Sequence, residues 1–430
     1  MARSGQAAAV LLNDLGANIT ITDKKTDLDF DYKSKGIEAY LGKNPDDIVQ
    51  NFDLIIISPG ISIYTEFVQK AEHLGIPVWG EAELAYRLCP CYMVAITGTN
   101  GKTTVTTLVG EILKKINPGT VIAGNIGIPF TGLVNNLTPS NIVVAEISSF
   151  QLETIEAFRP KISCVLNMTP DHLDRHKTME NYIAMKSRIF QNQRQDDVTV
   201  LNYDNVITKN MRPVGRVVYF SVQKQLESGV YLKNGMIVSR LDNNEENQVI
   251  HVSETSVLPE NACAATALAL LAGASIEHVA CVLKNFRGVA HRLEHITTIN
   301  GVDYYNDSKA TNTDAAIKAL TSFNRPVVLI AGGSDKESDF TQWVEYFNEK
   351  VLHLILIGQT ANKIIETCNK LGYKNYEKAD TLEEAVNRAK SIAKHGQKVL
   401  FSPACASFDM FKDFEERGDL FKAIVKGVSR

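Results

Sequence analysis

This sequence has few cysteines and tryptophans, no long apolar run and no marked excess of either charge. Its 430 residues include 7 cysteines and 2 tryptophans, and 45 basic residues stand against 49 acidic ones, for a formal net charge of −4. A charge so close to balance argues against a nucleic-acid-binding surface. No apolar stretch approaches the length that crosses a bilayer, and the amino end lacks the core of a signal peptide.

The cysteines are odd in number and scattered along the chain. Cys89 and Cys91 are too close together to frame a zinc knuckle, and no second pair accompanies them. We interpret the cysteines as buried or non-functional thiols in a reducing compartment rather than as metal ligands. We therefore expect a soluble protein of the cytoplasm that contacts neither nucleic acid nor membrane.

The length of the chain predicts two or three domains, each large enough for its own core. Strands and helices alternate along most of the sequence, which predicts an α/β fold. We expect a truncated Rossmann-like domain at residues 1–82, a central domain at 83–288 and a second Rossmann-like domain at 289–430. The central domain is expected to hold a mostly parallel sheet of the P-loop ATPase type with a small antiparallel patch.

The sequence at the amino end predicts the second half of a β-loop-α-β nucleotide-binding unit. Gly5 leads directly into an amphipathic helix at 6–15, and a strand follows at 18–22. The unit continues through a buried strand at 53–60 and a short strand at 76–79. We expect the first strand of this unit to be missing. Because that strand normally lies near the middle of the sheet, its loss should truncate the domain.

The strongest motif is a glycine loop between a predicted strand at 93–97 and a helix that carries apolar residues from Val105 onward. Such a loop lets backbone N–H groups surround a phosphate at the positive end of the helix. Lys102 is then expected to reach the β- and γ-phosphates of ATP, and the Thr103 hydroxyl to help hold Mg²⁺. A strand-loop-helix turn without a nucleotide is the alternative. The loop is two residues shorter than the usual pattern, because Ile96 stands where the first glycine would be.

Further strands are predicted on both sides of this loop. In the central domain they lie at 141–146, 162–166 and 198–201, and the antiparallel patch is expected at 217–220, 229–232 and 236–239, with a turn at Asn234-Gly235. In the third domain, parallel strands are expected at 326–331, 352–357 and 398–401. The charged stretch at 243–247 is most simply a solvated turn.

Three side chains of the central domain could carry chemistry. Glu146 ends a buried strand, where a Mg²⁺ ligand beside a phosphate loop would lie, although an acid at a solvated sheet edge is the alternative. His172 lies in a polar loop after the next strand and is either a second metal ligand or an ordinary loop histidine. Lys186 lies on a predicted helix at 181–190, and the residues alone favour an ordinary amphipathic-helix lysine.

Eight stretches of the chain together carry a resemblance to a known family. They are residues 98–104, 123–127, 146–152, 171–174, 290–294, 306–312, 402–409 and 411–418. With them the chain resembles the Mur ligases of peptidoglycan synthesis over essentially its whole length. The last two stretches are typical of the members that add D-glutamate.

The resemblance implies a cytoplasmic, monomeric ligase that forms an amide bond between UDP-N-acetylmuramoyl-L-alanine and D-glutamate, with ATP as the energy source. It implies two Mg²⁺ sites, held by Thr103, Glu146, His172 and Lys186, the lysine as a carbamate formed with CO₂. A carbamate turns an ammonium into an oxygen donor that suits Mg²⁺. Lys102, Glu146, His172 and Lys186 are the implied catalytic residues.

The remaining implied site residues fall into three groups. ATP contacts are Gly98, Thr99, Asn100, Gly101, Lys102, Thr103, Thr104, Asn261, His291, Arg292, Asp307 and Lys309. Contacts to the uridine-diphosphate substrate are Arg3, Ser4, Lys24, Lys25, Gly60 and Asn125. The D-glutamate pocket is implied to contain Thr311, Lys336, Ser407, Phe408 and Phe414.

One further departure from the family pattern lies just before Asn261. The family usually shows Gly-x-His-Asn there, followed two residues later by a second Asn, whereas Pro259 here runs directly into Glu260-Asn261. Two other functions remain open at this point. The chain could be another amide ligase of the same fold, such as a diaminopimelate- or lysine-adding enzyme or a folylpolyglutamate synthetase. It could also be a non-catalytic protein that keeps the nucleotide-binding fold.

Overall fold

The computed structural model of the protein describes residues 1, 3–28, 30–125, 129–241, 245–335 and 338–427. The chain divides into two compact units, Met1–Phe286 and Arg287–Arg430. The predicted boundary between residues 82 and 83 falls inside the first unit.

The first unit contains thirteen strands and ten α-helices among its described residues. The strands are β1 (Thr20–Asp23), β2 (Glu38–Leu41), β3 (Ile55–Ile57), β4 (Val78–Gly80), β5 (Tyr92–Thr97), β6 (Val121–Gly124), β7 (Ile142–Glu146), β8 (Ile162–Val165), β9 (Val198–Asn202), β10 (Arg216–Ser221), β11 (Gly229–Lys233), β12 (Met236–Arg240) and β13 (Asn247–His251). The helices are α1 (Arg3–Asp14), α2 (Glu66–His73), α3 (Glu81–Leu88), α4 (Lys102–Lys114), α5 (Ser149–Leu152), α6 (Leu173–His176), α7 (Met179–Ser187), α8 (Val206–Lys209), α9 (Pro259–Leu271) and α10 (Ile276–Asn285).

A nine-stranded sheet forms the body of this unit, in the order β13-β12-β11-β10-β9-β8-β5-β7-β6. From β6 to β11 neighbouring strands run parallel, and only the pairs β11·β12 and β12·β13 are antiparallel. The small antiparallel patch is therefore confirmed, but the prediction that 217–220 belongs to it is wrong. That segment is β10, which pairs in parallel with both of its neighbours. In the stretch 243–247, Glu245 and Glu246 lie outside regular secondary structure and Asn247 begins β13, while Asn243 and Asn244 lie outside the described residues.

The amino-terminal part of the unit is organised differently. Strands β1 and β2 form one parallel pair, and β3 and β4 form another. The two pairs belong to separate sheets, so each of these four strands has a hydrogen-bonded neighbour on one side only among the described strands. A small apolar cluster of Ala9, Ile21 and Ile37 joins α1 to the first pair.

Several helices begin earlier than their apolar periodicity suggested. Helix α1 starts at Arg3 rather than residue 6, and α4 starts at Lys102 rather than residue 105. In both cases the first turn is polar or glycine-flanked, so it carries no hydrophobic signal. Helix α9 is buried along most of its length and packs on α4 and on strands β10 and β11, as expected for an Ala/Leu-rich helix.

The second unit contains six strands and six α-helices in its described residues. These are β14 (Glu294–Ile299), β15 (Val302–Asn306), α11 (Thr313–Thr321), β16 (Val327–Ala331), α12 (Thr341–Val344), α13 (Phe347–Lys350), β17 (Val351–Leu356), α14 (Ala361–Lys370), β18 (Tyr376–Lys378), α15 (Leu382–Ile392), β19 (Lys398–Phe401) and α16 (Phe414–Lys426). They form one sheet in the order β14-β15-β19-β16-β17-β18, parallel except for the hairpin β14·β15. The three strands predicted for this domain correspond to β16, β17 and β19.

The carboxyl ends of β15, β19 and β16 are neighbours in this sheet, which brings the loops that follow them to one edge. Throughout the described part of the chain, the helices are too short or too polar to cross a membrane. All seven cysteines carry free thiols.

Candidate active site

The glycine loop lies between β5 and α4 and needs both of its glycines. Gly98 has φ of 142° and Gly101 has φ of 85°, conformations that other residues rarely adopt. A Cβ on Gly101 would lie 2.5 Å from Oδ1 of Asn261, and a Cβ on Gly98 would lie 3.0 Å from Cβ of Leu166. Asn261, a residue implied to contact ATP, is therefore packed directly against this loop.

Asn167 holds the loop from the neighbouring strand end. Its Oδ1 accepts from the backbone N–H of Asn100 at 2.9 Å, and its Nδ2 donates to the Asn100 carbonyl at 3.1 Å. The Asn167 carbonyl accepts from the N–H of Thr99 at 2.9 Å. The Thr99 hydroxyl lies 3.1 Å from the Tyr182 hydroxyl on α7. These reciprocal bonds fix the loop before any ligand arrives. Asn167 and Tyr182 were not predicted as site residues, because a buried amide and a helix tyrosine have no distinctive spacing.

Lys102 begins α4 and folds back over the loop. Its Nζ donates to the carbonyls of Gly98 at 3.0 Å and Thr99 at 2.8 Å. Thr103 and Thr104 are buried in the first turn of the helix, and the Thr104 hydroxyl has no hydrogen-bond partner among the described residues. The positive helix end, the ammonium and the hydroxyls suit a polyphosphate.

Glu146 ends β7 and is only 1% exposed, so the alternative of a solvated sheet-edge acid is wrong. Its Oε1 accepts from Nδ2 of Asn125 at 2.9 Å. Its Oε2 is buried and receives no hydrogen bond from the described residues. A buried carboxylate oxygen without a donor is costly, and a bound cation would satisfy it.

Lys186 is 2% exposed and lies against the same loop, so it is not an ordinary amphipathic-helix lysine. Its Nζ donates to the Gly98 carbonyl at 2.9 Å and lies 3.4 Å from the Thr97 hydroxyl. Burial lowers the pKa of Lys186 well below its usual value, and the nearby positive charge of Lys102 lowers it further. Lys102 and Lys186 thus form a cluster around Gly98, and the charge of Glu146 raises the pKa of Lys186.

His172 sits at the turn before α6 with φ of 55°. Its ring meets the edge of Phe150 at a centroid distance of 4.8 Å, and its Nε2 lies 3.6 Å from Oδ2 of Asp171. The charge of Asp171, the residue before His172, raises the pKa of Lys186. The following His176 is buried, which lowers its pKa to about 4 and keeps it neutral.

The donor set around the loop fits Mg²⁺ better than a transition metal. The described residues contain no group of three or more His, Cys, Asp or Glu side chains arranged to hold a metal. Mg²⁺ is usually held by one or two carboxylates together with substrate phosphates and water. The unsatisfied Oε2 of Glu146 and the Thr103 hydroxyl meet that requirement.

Arg175 on α6 connects this region to the amino-terminal strands. Its Nη1 donates to the Pro59 carbonyl at 2.9 Å and its Nη2 to the Ile61 carbonyl at 2.8 Å. The same guanidinium pairs with Glu153, with Nε 3.0 Å from Oε1, and stacks on the ring of Phe150 at 4.3 Å. Arg175 was not predicted as a site residue, since nothing in the sequence indicates which backbone a loop arginine reaches.

Most of the residues implied for the uridine-diphosphate substrate lie around the first turn of α1, whereas Asn125 donates to Glu146 at the end of β7. Arg3 and Ser4 lie in that turn, and a Cβ on Gly5 would lie 3.1 Å from the Ser58 hydroxyl, just before Gly60. The Met1 ammonium pairs with Asp23, which precedes Lys24 and Lys25. A helix start flanked by two strand ends and basic residues suits a diphosphate.

In the second unit, Asp307 follows β15 and is fully buried. Its Oδ2 accepts from the Ser402 hydroxyl at 2.8 Å and its Oδ1 from the Leu293 N–H at 3.2 Å. Burial raises the pKa of Asp307 to about 6, although the charge of Arg292 opposes the rise. His291 has φ of 63°, and burial lowers its pKa.

Among the residues implied for D-glutamate, Thr311, Ser407 and Phe408 lie on loops at one edge of the second sheet, and Phe414 begins α16. Lys309 has its Nζ 5.0 Å from the centroid of the Phe414 ring, and its N–H donates to the His291 carbonyl. The N–H of Thr311 donates to the Lys309 carbonyl at 3.0 Å. Ser407 is buried, whereas Phe408 is 73% exposed. Lys336 lies outside the described residues.

Comparison with known families matches three domain models to the chain in sequence order. Residues 1–80 match the model of the Mur ligase MurD-like N-terminal domain, residues 96–269 the Mur ligase middle domain, and residues 291–405 the Mur ligase glutamate ligase domain. Together the three models cover more than half of the chain.

Individual relatives agree with the family models. The chain is 46% identical to a UDP-N-acetylmuramoylalanine--D-glutamate ligase of Caldanaerobacter subterraneus over 99% of this chain and 97% of the relative. It is 47% identical to a protein of the same name from a Thermoanaerobacter species, again over 99% and 97%.

Solved structures show the same fold at lower identity. A MurF ligase of Thermotoga maritima in complex with ADP aligns with a TM-score of 0.64 at 15% identity, over 97% of this chain and 100% of that one. The UDP-N-acetylmuramate-alanine ligase of the same organism aligns with a TM-score of 0.62 at 17% identity, over 99% and 97%. On the identity and coverage of its relatives, with three family models matched in order, this chain belongs to the Mur ligase family.

Proposed function

We propose that this chain is an ATP-dependent ligase that joins D-glutamate to UDP-N-acetylmuramoyl-L-alanine, forming an amide and releasing ADP and phosphate. The observation that carries the proposal is the 46–47% identity, over 99% of the chain, to proteins named for this reaction. Relatives of this name are matched along both compact units. The alternatives of a different amide ligase or of a non-catalytic protein have no comparable support.

The cluster around Gly98 supports ATP as the energy source. Lys102 and the amino end of α4 present positive charge beside a loop that is already held by Asn167. Preorganised donors of this kind stabilise the charge that develops during phosphoryl transfer. We assign Gly98, Thr99, Asn100, Gly101, Lys102, Thr103, Thr104 and Asn261 to ATP, with His291, Arg292, Asp307 and Lys309 as the nucleotide contacts of the second unit.

Two Mg²⁺ ions are part of the proposal. Thr103 and Glu146 are assigned to the first, because Glu146 offers a buried carboxylate oxygen that no described residue satisfies. His172 and Lys186 are assigned to the second, with Lys186 converted to a carbamate. When bound, the metals neutralise phosphate charge and orient the reacting oxygens.

The environment of Lys186 supports carbamate formation. A lysine must be neutral to add to CO₂, and burial together with Lys102 lowers the pKa of Lys186 in that direction. The lone pair of Nζ attacks the carbon of CO₂, a C–N bond forms, and Nζ loses one proton to solvent. The product is an anion in place of an ammonium.

The reaction then needs no side-chain nucleophile. The alanyl carboxylate of the first substrate attacks the γ-phosphorus of ATP, the bond to the β-phosphate oxygen breaks, and ADP leaves. Lys102 holds the transferring group and balances its charge. The amine of D-glutamate attacks the resulting acyl phosphate, phosphate leaves, and the amine proton passes to solvent. Arg3, Ser4, Lys24, Lys25, Gly60 and Asn125 are assigned to the first substrate, and Thr311, Lys336, Ser407, Phe408 and Phe414 to D-glutamate.

The test is a phosphate-release assay with each component omitted in turn. Release should require ATP, UDP-N-acetylmuramoyl-L-alanine and D-glutamate together, and radiolabelled D-glutamate should appear in the uridine product. L-lysine, meso-diaminopimelate and L-glutamate serve as the comparison panel. Turnover with one of these in preference to D-glutamate would make the chain a different ligase. No phosphate release with any amino acid would support a non-catalytic protein.

A further inference from the structure

Arg417 lies on α16 and is completely buried. Its guanidinium donates four hydrogen bonds to the loops that follow two strands of the second sheet. Nε donates to the Ser308 hydroxyl at 3.0 Å and Nη2 to the Ser308 carbonyl at 2.7 Å. Nη1 donates to the carbonyls of Cys405 at 3.1 Å and Ala406 at 3.0 Å. One planar fork thus spans the loops after β15 and β19.

The acceptors are all neutral oxygens. Arg417 forms no ion pair with a carboxylate of the described residues, although Asp307 and Asp409 are near enough to act on it through their charges. Burial lowers its pKa to about 10, which leaves it charged at neutral pH. A buried arginine with a purely structural role is normally paired with an acid. The positive charge of Arg417 is therefore only partly compensated locally.

A third loop, after β16, packs against Ala406 and the guanidinium of Arg417. A Cβ on Gly333 would lie 2.2 Å from the Ala406 carbonyl and 3.1 Å from Nη1 of Arg417, so only glycine fits there. The Ser334 N–H donates to the Ala406 carbonyl at 2.9 Å, and its hydroxyl lies 3.1 Å from Oδ1 of Asp409. The loops that carry Thr311, Ser407 and Phe408 are thus joined at one guanidinium, and Gly333 of the loop after β16 packs against it.

We propose that Arg417 is the positioning residue of the amino-acid pocket and supplies part of its preference for a dicarboxylate. It fixes Ser308 and Ala406, the immediate neighbours of Lys309 and Ser407, and it adds a positive charge behind them. An acidic amino acid brings two carboxylates into this pocket, and a buried cation lowers the cost of desolvating them. The inference rests on the proposed function, because it concerns the same amino-acid site.

The experiment uses the full-length enzyme and three substitutions. Arg417→Met removes the fork and the charge, Arg417→Lys keeps a charge without the fork, and Ser308→Ala removes one acceptor while the charge stays. The KM for D-glutamate should rise about tenfold or more in Arg417→Met and less in the other two. The KM for UDP-N-acetylmuramoyl-L-alanine, whose assigned residues are in the first unit, should stay within about twofold.

D-glutamine separates the charge from the shape, because it has the length of D-glutamate with one charge fewer. Its inhibition constant against D-glutamate should change less in Arg417→Met than the KM for D-glutamate does. In Arg417→Lys the two constants should move together, because the charge remains.

Val386→Ala is the matched control, since Val386 is a buried residue of the same unit and belongs to an apolar cluster that includes none of Ser308, Gly333, Cys405 and Ala406. It should lower the melting temperature and leave both KM values unchanged. If Arg417→Lys and Ser308→Ala behave like this control, Arg417 is only structural and the inference is overturned. If Arg417→Met does not fold, the KM values of Arg417→Lys and Ser308→Ala decide whether Arg417 is a positioning residue or only structural. A native enzyme that does not use D-glutamate would overturn the proposed function instead.

Discussion

Lys102 and Lys186 donate to the same carbonyl oxygen, that of Gly98, at 3.0 and 2.9 Å. Two ammonium groups on one acceptor repel each other, and Lys186 is the more deeply buried of the pair. The pKa of Lys186 is accordingly lowered, with burial as the main cause and Lys102 as the second. The phosphate loop thus brings the side chain assigned to ATP next to the side chain assigned to the second metal.

Lys102→Ala should abolish phosphate release while the protein stays folded. The transferring phosphoryl group loses its charge partner, and the loss of one preorganised charged donor costs on the order of a hundredfold or more. Circular dichroism and a phosphate-release assay are the measurements. Lys114→Ala is the control, because Lys114 lies on the same helix and pairs only with Glu111 at the surface. Near-native turnover of Lys102→Ala would exclude this loop from the chemistry.

Lys186→Ala should be inactive and should regain part of its activity in formate or acetate, which can occupy the position of the carbamate. Lys186→Arg should not be rescued, because a fixed cation repels Mg²⁺. Mass spectrometry of the native protein under CO₂ should show the mass of one added CO₂, absent from both variants. Full activity of Lys186→Ala would mean that no carbamate is needed.

Arg175→Lys should weaken binding of UDP-N-acetylmuramoyl-L-alanine more than binding of ATP. The guanidinium holds the carbonyls of Pro59 and Ile61, on either side of Gly60, and lysine cannot bridge both while pairing with Glu153. A loss of two hydrogen bonds predicts a KM increase of about tenfold for the uridine substrate. Steady-state kinetics with each substrate varied separately is the measurement. Equal effects on both KM values would mean that Arg175 stabilises the unit as a whole.

Asp307→Asn should stabilise the second unit at neutral pH while activity falls. Burial raises the pKa of Asp307 from 3.8 to about 6, so the folded state binds more protons than the unfolded state between these values. Stability should therefore fall as pH rises from about 4 to about 6, by up to roughly 3 kcal/mol for a shift of this size. The neutral amide removes that loss. Thermal unfolding at pH 4 and pH 7.5 is the measurement, and a gain of equal size at both would contradict the titration of Asp307.

Strong local signals made parts of the fold predictable from sequence. The turn at Asn234-Gly235 has φ of 50° and 78° and joins β11 to β12 as expected. The same signal at Asn300-Gly301, with φ of 51° and 76°, joins β14 to β15, but that hairpin was not predicted. The segment 217–220 is a strand as predicted, but the direction of its neighbours depends on the tertiary path of the chain, which a local sequence pattern does not contain.

Candidate site residues were predictable where a motif fixes the backbone conformation. They were not predictable where the role of a side chain depends on its burial in the folded protein. Gly98, Gly101 and Lys102 follow from the phosphate-loop pattern. In the sequence, Lys186 cannot be distinguished from other lysines on helices. Only tertiary packing brings its ammonium to the Gly98 carbonyl of the loop. Arg417 lies within a stretch that carries the family resemblance, but its four acceptors come from two distant segments that sequence spacing does not connect.

We expect the two separate strand pairs at the amino end to make the stability of that region depend on the ligand proposed for it. Strands with one hydrogen-bonded neighbour open more easily than the central strands β5 and β7, so their amides should exchange with solvent sooner. A ligand that binds the first turn of α1 and the ends of β1 and β3 would connect the two pairs through its own phosphates. Affinity for the uridine nucleotide would then be thermodynamically linked to the rigidity of residues 1–80. Part of the binding free energy would be used to order the domain that binds the nucleotide.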